Sequence, residues 1–80
     1  MTTEISGIIA ALSEIQSDMS VPRNVRTKID LVMHTLKQNS ELSTKVNKSL
    51  SGLDEVSNDV NLQSYTRTQI WNIMSLLEKL

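Results

Sequence analysis

Two stretches decide the fold: LSEIQSDMSVPRNVRTKIDLVMHTL, residues 12–36, and LDEVSNDVNLQSYTRTQIWNIMSLL, residues 53–77. Displaced by 41 residues, they agree at eight of 25 positions: Leu12 with Leu53, Glu14 with Glu55, Asp18 with Asp59, Arg26 with Arg67, Thr27 with Thr68, Ile29 with Ile70, Met33 with Met74 and Leu36 with Leu77. Average composition gives roughly one or two such matches by chance. Ile15 with Val56, Val21 with Leu62 and Val32 with Ile73 are similar pairs. The repeat, about residues 4–37 and 45–78, has the length of a helical-pair unit.

Around the repeat, four segments carry apolar residues at spacings of three and four, the signature of one buried helix face. They are Ile5, Ile8, Ile9, Leu12 and Ile15; Val25, Ile29, Val32, Met33 and Leu36; Leu42, Val46, Leu50, Leu53 and Val56; and Ile70, Ile73, Met74, Leu77 and Leu80. Thr2 or Thr3, Ser40, and Asn61 or Ser64 are candidate caps. Pro22 is expected at the first position of the second helix, and Val21 before it is pushed out of the α region. Linkers near 18–21, 38–40 and 58–62 are short, which makes consecutive helices antiparallel. The expectation is one all-α domain over residues 1–80, a four-helix up-and-down bundle made of two pseudo-symmetric helical hairpins.

Composition agrees with long helices and few turns. The 80 residues include two Gly and one Pro, too few for a β-rich fold of this size. With one Trp, one Tyr and no Phe, the core must be aliphatic, and Met19, Met33 and Met74 are expected in it. Eight basic and nine acidic residues give a net charge of −1, so there is no general attraction to nucleic acid or anionic lipid. No apolar run approaches the roughly 20 residues of a membrane span. No Cys is present and no basic residue precedes Arg23, which together suggest a cytoplasmic protein without a signal peptide.

Little here supports catalysis. His34 is the only histidine, with Asp30 one turn away, and that is too few ligands for a metal. No serine has a plausible histidine and acid to activate it. Gly7 and Gly52 fall inside helices, not in a phosphate loop, and are expected where helices approach closely. The Glu-x-x-His pattern of di-iron bundles is missing. No enzyme activity, cofactor or metal is expected.

The pointed feature is the repeated turn. Asp18 and Asp59 end one helix, and Arg26 and Arg67 open the next, where a cation opposes the helix dipole. Either acids pair with the arginines and lock the turns, Arg26 with Glu55 and Arg67 with Glu14, or the arginines face outward and bind an anionic partner. Arg23, Arg26, Lys28 and Arg67, with Asp18 and Asp59, are the candidates for turn-locking or anion binding. Trp71, Tyr65 and Arg67 are the candidates for partner contact, because aromatic residues and arginine are enriched at binding hot spots.

The segments VPRNVR (Val21 to Arg26), LDEVSND (Leu53 to Asp59) and TRTQIWNIMS (Thr66 to Ser75) are similar to a small archaeal family of uncharacterised proteins of about this length. The resemblance covers nearly the whole chain, and TRTxIWN is its most specific part. Members often carry prolines and a histidine before that segment, where this chain has Val60, Gln63 and Tyr65. The resemblance implies a four-helix bundle and brings no established activity. Together these readings suggest a non-catalytic protein-interaction or scaffold module, with an unknown protein or a second copy as partner. The alternative is an RNA- or ribosome-associated accessory protein that binds through the basic turn residues.

Overall fold

The computed structural model describes residues 2–80, with side chains from residue 4 onward. Four helices follow one another: α1 (Thr2–Gln16), α2 (Arg23–Lys37), α3 (Leu42–Ser57) and α4 (Ser64–Glu78). No strand occurs among the described residues. Each helix packs closely on the next, α4 closes the ring on α1, and the diagonal pairs stand further apart. The molecule is a four-helix up-and-down bundle measuring 33 × 19 × 17 Å. The turns at 17–22 and 58–63 lie at one end; the 38–41 turn, the start of α1 and the end of α4 lie at the other.

The core forms because each helix buries a narrow aliphatic stripe. Ile8, Leu12 and Ile15 come from α1, and Val25, Ile29, Val32 and Leu36 from α2. Leu53 and Val56 come from α3, and Ile70, Ile73 and Leu77 from α4. Val21 and Leu62, one from each turn, plug the end of the core. Each of the eight buried residues from Ile8 to Leu36 has a buried residue 41 positions on. At two of those positions an apolar residue is matched by a polar one: Ser49 for Ile8 and Thr66 for Val25.

Several expectations need correction. Helix α3 centres its buried face on Ser49, Leu53, Val56 and Ser57, while Leu42, Val46 and Leu50 are only half-buried. Met19 is 79% exposed because it is the second residue of a tight turn that projects from the bundle; Met33 and Met74 do pack against the core. Pro22 is the N-cap of α2, with ψ at 142°, and not its first helical residue. Glu41 and Gln63 cap α3 and α4 in place of Ser40, Asn61 or Ser64, and none of the three caps makes a side-chain capping hydrogen bond to the helix backbone; Glu41 Oε1 instead accepts from the Ser43 hydroxyl (2.7 Å). The expected cap at Thr2 or Thr3 lies outside the described side chains.

The two glycines have different roles. A Cβ on Gly52 would stand 3.1 Å from Val32 Cγ2, so this glycine sets the spacing of α2 and α3. A Cβ on Gly7 would meet nothing within 4 Å, so the expected close approach does not occur there.

Candidate functional site

At the turn end, the chain reverses through two similar hydrogen-bonded turns. In the first, the Val21 N–H donates to the Asp18 carbonyl (3.1 Å), and the Ser20 N–H donates to the Asp18 carboxylate (2.9 Å). In the second, the Leu62 N–H donates to the Asp59 carbonyl (3.2 Å), and the Asn61 N–H to the Asp59 carboxylate (2.8 Å). This is the Asx arrangement, in which an aspartate side chain satisfies the backbone two residues on. The apolar residues between, Met19 and Val60, project into solvent.

The hydrogen bonds hold both aspartates below their ordinary carboxylate range, because they favour the charged form. For Asp18 the leading cause is the Ser20 hydroxyl, followed by the Ser20 N–H. For Asp59 it is the Asn24 side-chain amide, followed by the Asn61 N–H. Asn24 Nδ2 lies 2.7 Å from Asp59 Oδ2. That bond ties the start of α2 to the turn between α3 and α4, linking the two ends of the repeat.

The arginines are spent on carbonyls. Arg67 donates to the carbonyls of Ser57 (2.8 Å), Asp59 (2.9 Å) and Leu62 (3.3 Å), clamping the end of α3 to the start of α4. Arg26 donates through Nε to the Val21 carbonyl (3.1 Å), and its Nη1 lies 3.5 Å from Met19 Sδ. The expected exchange of Arg26 with Glu55 and Arg67 with Glu14 is therefore absent. Glu55 faces Lys28 instead, at 3.3 Å. The dipole conflict is answered by backbone oxygens, which lie within the short reach that these turns impose.

What remains for an anion is small. Arg23 and Arg26 line a polar cleft of about 210 Å³ with Gln16, Thr27 and Asp30. Asp30 puts a negative charge in that cleft, and it also lies 3.7 Å from His34. Both exposed aspartate turns share this end.

The aromatic candidates lie on α4. Tyr65 is 72% and Trp71 53% exposed, so neither is needed to fill the core. Only Trp71, one turn on, shares a helix face with Arg67. On a helix of 3.6 residues per turn, Tyr65 and Trp71 diverge by about 120°. The Arg67 side chain is turned into its own turn. A groove of about 210 Å³ between α1 and α4 is lined by Ala11, Glu14, Ile15, Gln69, Asn72, Ile73 and Leu76. Sequence reasoning missed this seam, since no single residue in it looks functional. Its one legible signal is the lack of charge: α4 has none between Arg67 and Glu78, and α1 has one between Glu4 and Asp18, at Glu14.

Two shallow apolar grooves flank Leu42 at the opposite end, with Ile5, Ile9 and Leu36 on one side and Val46, Leu77 and Leu80 on the other. Lys45 spans this end and donates to the Leu36 (3.4 Å) and Gln38 (3.1 Å) carbonyls, a cation at the α2 C-terminus. Among the described residues no group of three or more His, Cys, Asp or Glu is placed to hold a metal. No helix among the described residues is long and apolar enough to cross a membrane.

Comparison with known proteins gives a consistent picture. The UPF0147 protein of Methanosarcina mazei is 45% identical over 71 residues, covering 88% of this chain and 76% of the relative. That of Methanocaldococcus jannaschii is 40% identical over 76 residues, covering 94% and 82%. A crystal structure from Thermoplasma acidophilum, of a protein from uncharacterised family UPF0147, superposes with a TM-score of 0.93 at 34% identity, covering 99% of this chain and 94% of that one. A crystal structure of MMP1188, a protein of unknown function, gives 0.91 at 37% identity, covering 96% and 89%. The family model matches residues 1–80 throughout, and the chain belongs to UPF0147, an uncharacterised protein family.

Proposed function

We propose that this protein is a non-catalytic interaction or scaffold module that works through the outer surface of α4. The carrying observation is the exposure of Tyr65 and Trp71 on a helix whose core positions are filled by aliphatic residues. A large, rigid aromatic surface left in water gains most when a partner covers it. Among the described residues the core positions are filled by aliphatic side chains and the clefts are open surface grooves, which favours contact over chemistry.

The second reading, binding of RNA or a ribosomal surface, is favoured by one observation: Asn24 and Asp59 bring both basic turns to one end. It ranks lower because Arg67, Arg26 and Lys28 are engaged and two aspartates share that end. Too few free cations remain for a strong salt-dependent footprint.

Affinity capture with tagged protein, with and without nuclease, separates the two. A captured protein that survives nuclease and is lost with Trp71→Ala supports the module. Capture that disappears with nuclease and weakens with Arg23→Ala supports the second reading.

A further inference from the structure

We propose that Met19 is a peroxide-sensitive modification site whose sulfoxide is held by the Arg26 guanidinium, so that oxidation tightens the first hairpin turn. The proposal stands apart from the contact surface assigned to α4.

The repeat supplies the first observation. Arg67 donates to three carbonyls, those of Ser57, Asp59 and Leu62. The residues 41 positions earlier are Gln16, Asp18 and Val21. Among the described residues, Arg26 reaches only the last of these carbonyls, Val21, at 3.1 Å. Where Arg67 has further oxygens, Arg26 has the thioether of Met19, with Nη1 3.5 Å from Sδ. A thioether is a weak acceptor, so the first clamp is incomplete.

The second observation is access. Met19 is 79% exposed in the turn, while Met33 and Met74 pack against the core. An oxidant reaches an exposed methionine before one packed in a core. Val60, the equivalent of Met19 in the second turn, is also exposed but has no sulfur. Sensitivity to peroxide is therefore confined to the hairpin whose arginine clamp is incomplete.

The chemistry joins the two observations. A lone pair on Sδ attacks one oxygen of hydrogen peroxide. The S–O bond forms as the O–O bond breaks, and the proton on the transferred oxygen passes to the departing hydroxide. The products are one sulfoxide and one water; sulfur is oxidised by two electrons and the peroxide is reduced by two. The new oxygen is polar and sits on an atom already beside a guanidinium. Methionine is unbranched, with three rotatable bonds, and can bring that oxygen to the roughly 2.7–2.9 Å of a charge-assisted hydrogen bond. A sulfoxide harms a protein when it lies in a core. In this exposed turn there is no such cost, and the oxygen takes the part that the Asp59 carbonyl plays for Arg67.

The test treats the full chain with dilute hydrogen peroxide and follows it by peptide mapping and thermal melting. Met19 is expected to become sulfoxide about tenfold faster than Met33 or Met74. Protein oxidised at Met19, with Met33 and Met74 intact, should melt about 4 °C higher than before treatment. Met19→Leu, treated alike, carries any contribution of the other methionines and should show no rise. Arg26→Ala, compared with its own untreated form, should show none either. Met19→Gln carries an oxygen on its δ atom, as the sulfoxide does, and should reproduce the rise without peroxide; it decides the matter if Arg26→Ala does not fold. Oxidation of Met33 or Met74 ahead of Met19 overturns the proposal. So does a melting temperature that fails to rise with Met19 sulfoxide or in Met19→Gln, or a rise that persists in Arg26→Ala.

Discussion

At the scale of single residues, the core contains a defect that the sequence pattern conceals. Ser49 is fully buried, and its hydroxyl has no hydrogen-bond partner. It occupies the position that Ile8 holds 41 residues earlier. A buried hydroxyl without a partner costs roughly 1–3 kcal/mol, because it has left water for nothing. Ser49→Ala removes the hydroxyl and improves helix propensity, so it should stabilise the fold by about 1 kcal/mol. Urea denaturation would show a raised midpoint at an unchanged slope; a lowered midpoint would mean the hydroxyl has a partner in solution. Leu53, also fully buried, gives the contrast: Leu53→Ala should cost about 2–5 kcal/mol in lost transfer energy and cavity formation.

At the scale of elements, the connections divide between those held by charge and those held by shape. Arg67 serves three carbonyls and Arg26 one. Hydrogen bonds from a charged donor contribute about 1.5–3 kcal/mol, and the planar fork of arginine suits convergent oxygens that lysine cannot reach together. Arg67→Lys should therefore destabilise by about 1–2 kcal/mol, and Arg26→Lys by clearly less. Thermal melts that rank them the other way would remove Arg67 as the principal turn clamp. Shape decides the glycines. Gly7→Ala should stabilise the monomer by about 0.5–1 kcal/mol, whereas Gly52→Ala forces Val32 to shift from its 3.1 Å approach and should not.

This scale also shows what could be read from the chain and what could not. The aliphatic stripes were legible because burying one face of a helix needs a 3.6-residue spacing, and Leu12, Ile29, Leu53 and Ile70 lie on it. Ser49, Ser57 and Thr66 broke the stripe, so the true centre of α3 was hidden behind the half-buried Val46 and Leu50. The repeated Asp and Arg marked where the chain turns. Their partners were illegible, because backbone carbonyls leave no trace in a pattern of side chains. The α1/α4 seam was illegible for a similar reason: it is defined by charges that are missing.

For the whole molecule, the decisive fact is that both hairpin turns meet at one end and are joined by Asn24 and Asp59. This end of the bundle rests on two carboxylates, Asp59 in the latch and Asp18 within its own turn. Asp18 and Asp59 each titrate below the ordinary aspartate value of 3.8 in the folded chain. A group whose folded pKa is depressed adds stability that is fully present above its unfolded pKa. That stability is lost as pH falls through the lower folded value, because the native state must then give up hydrogen bonds to charged carboxylates. The fold should therefore weaken below about pH 4 and should be insensitive to these groups between about pH 5 and 8. Asp59→Asn keeps an acceptor for the Asn61 N–H but removes the charge. It should lower stability at neutral pH and flatten the acid limb of the profile. Asn24→Asp acts in the opposite sense, since it sets a second carboxylate beside Asp59 Oδ2 and turns the latch into a repulsion. Its penalty should be largest at neutral pH and should shrink on acidification, as one carboxyl takes up a proton and donates to the other. Urea midpoints of the wild type and both variants, taken from pH 7 to about pH 3, provide the measurement. Parallel profiles would show that the two turns are held together by core packing alone, and the latch would then be a consequence of the bundle's geometry and not one of its supports.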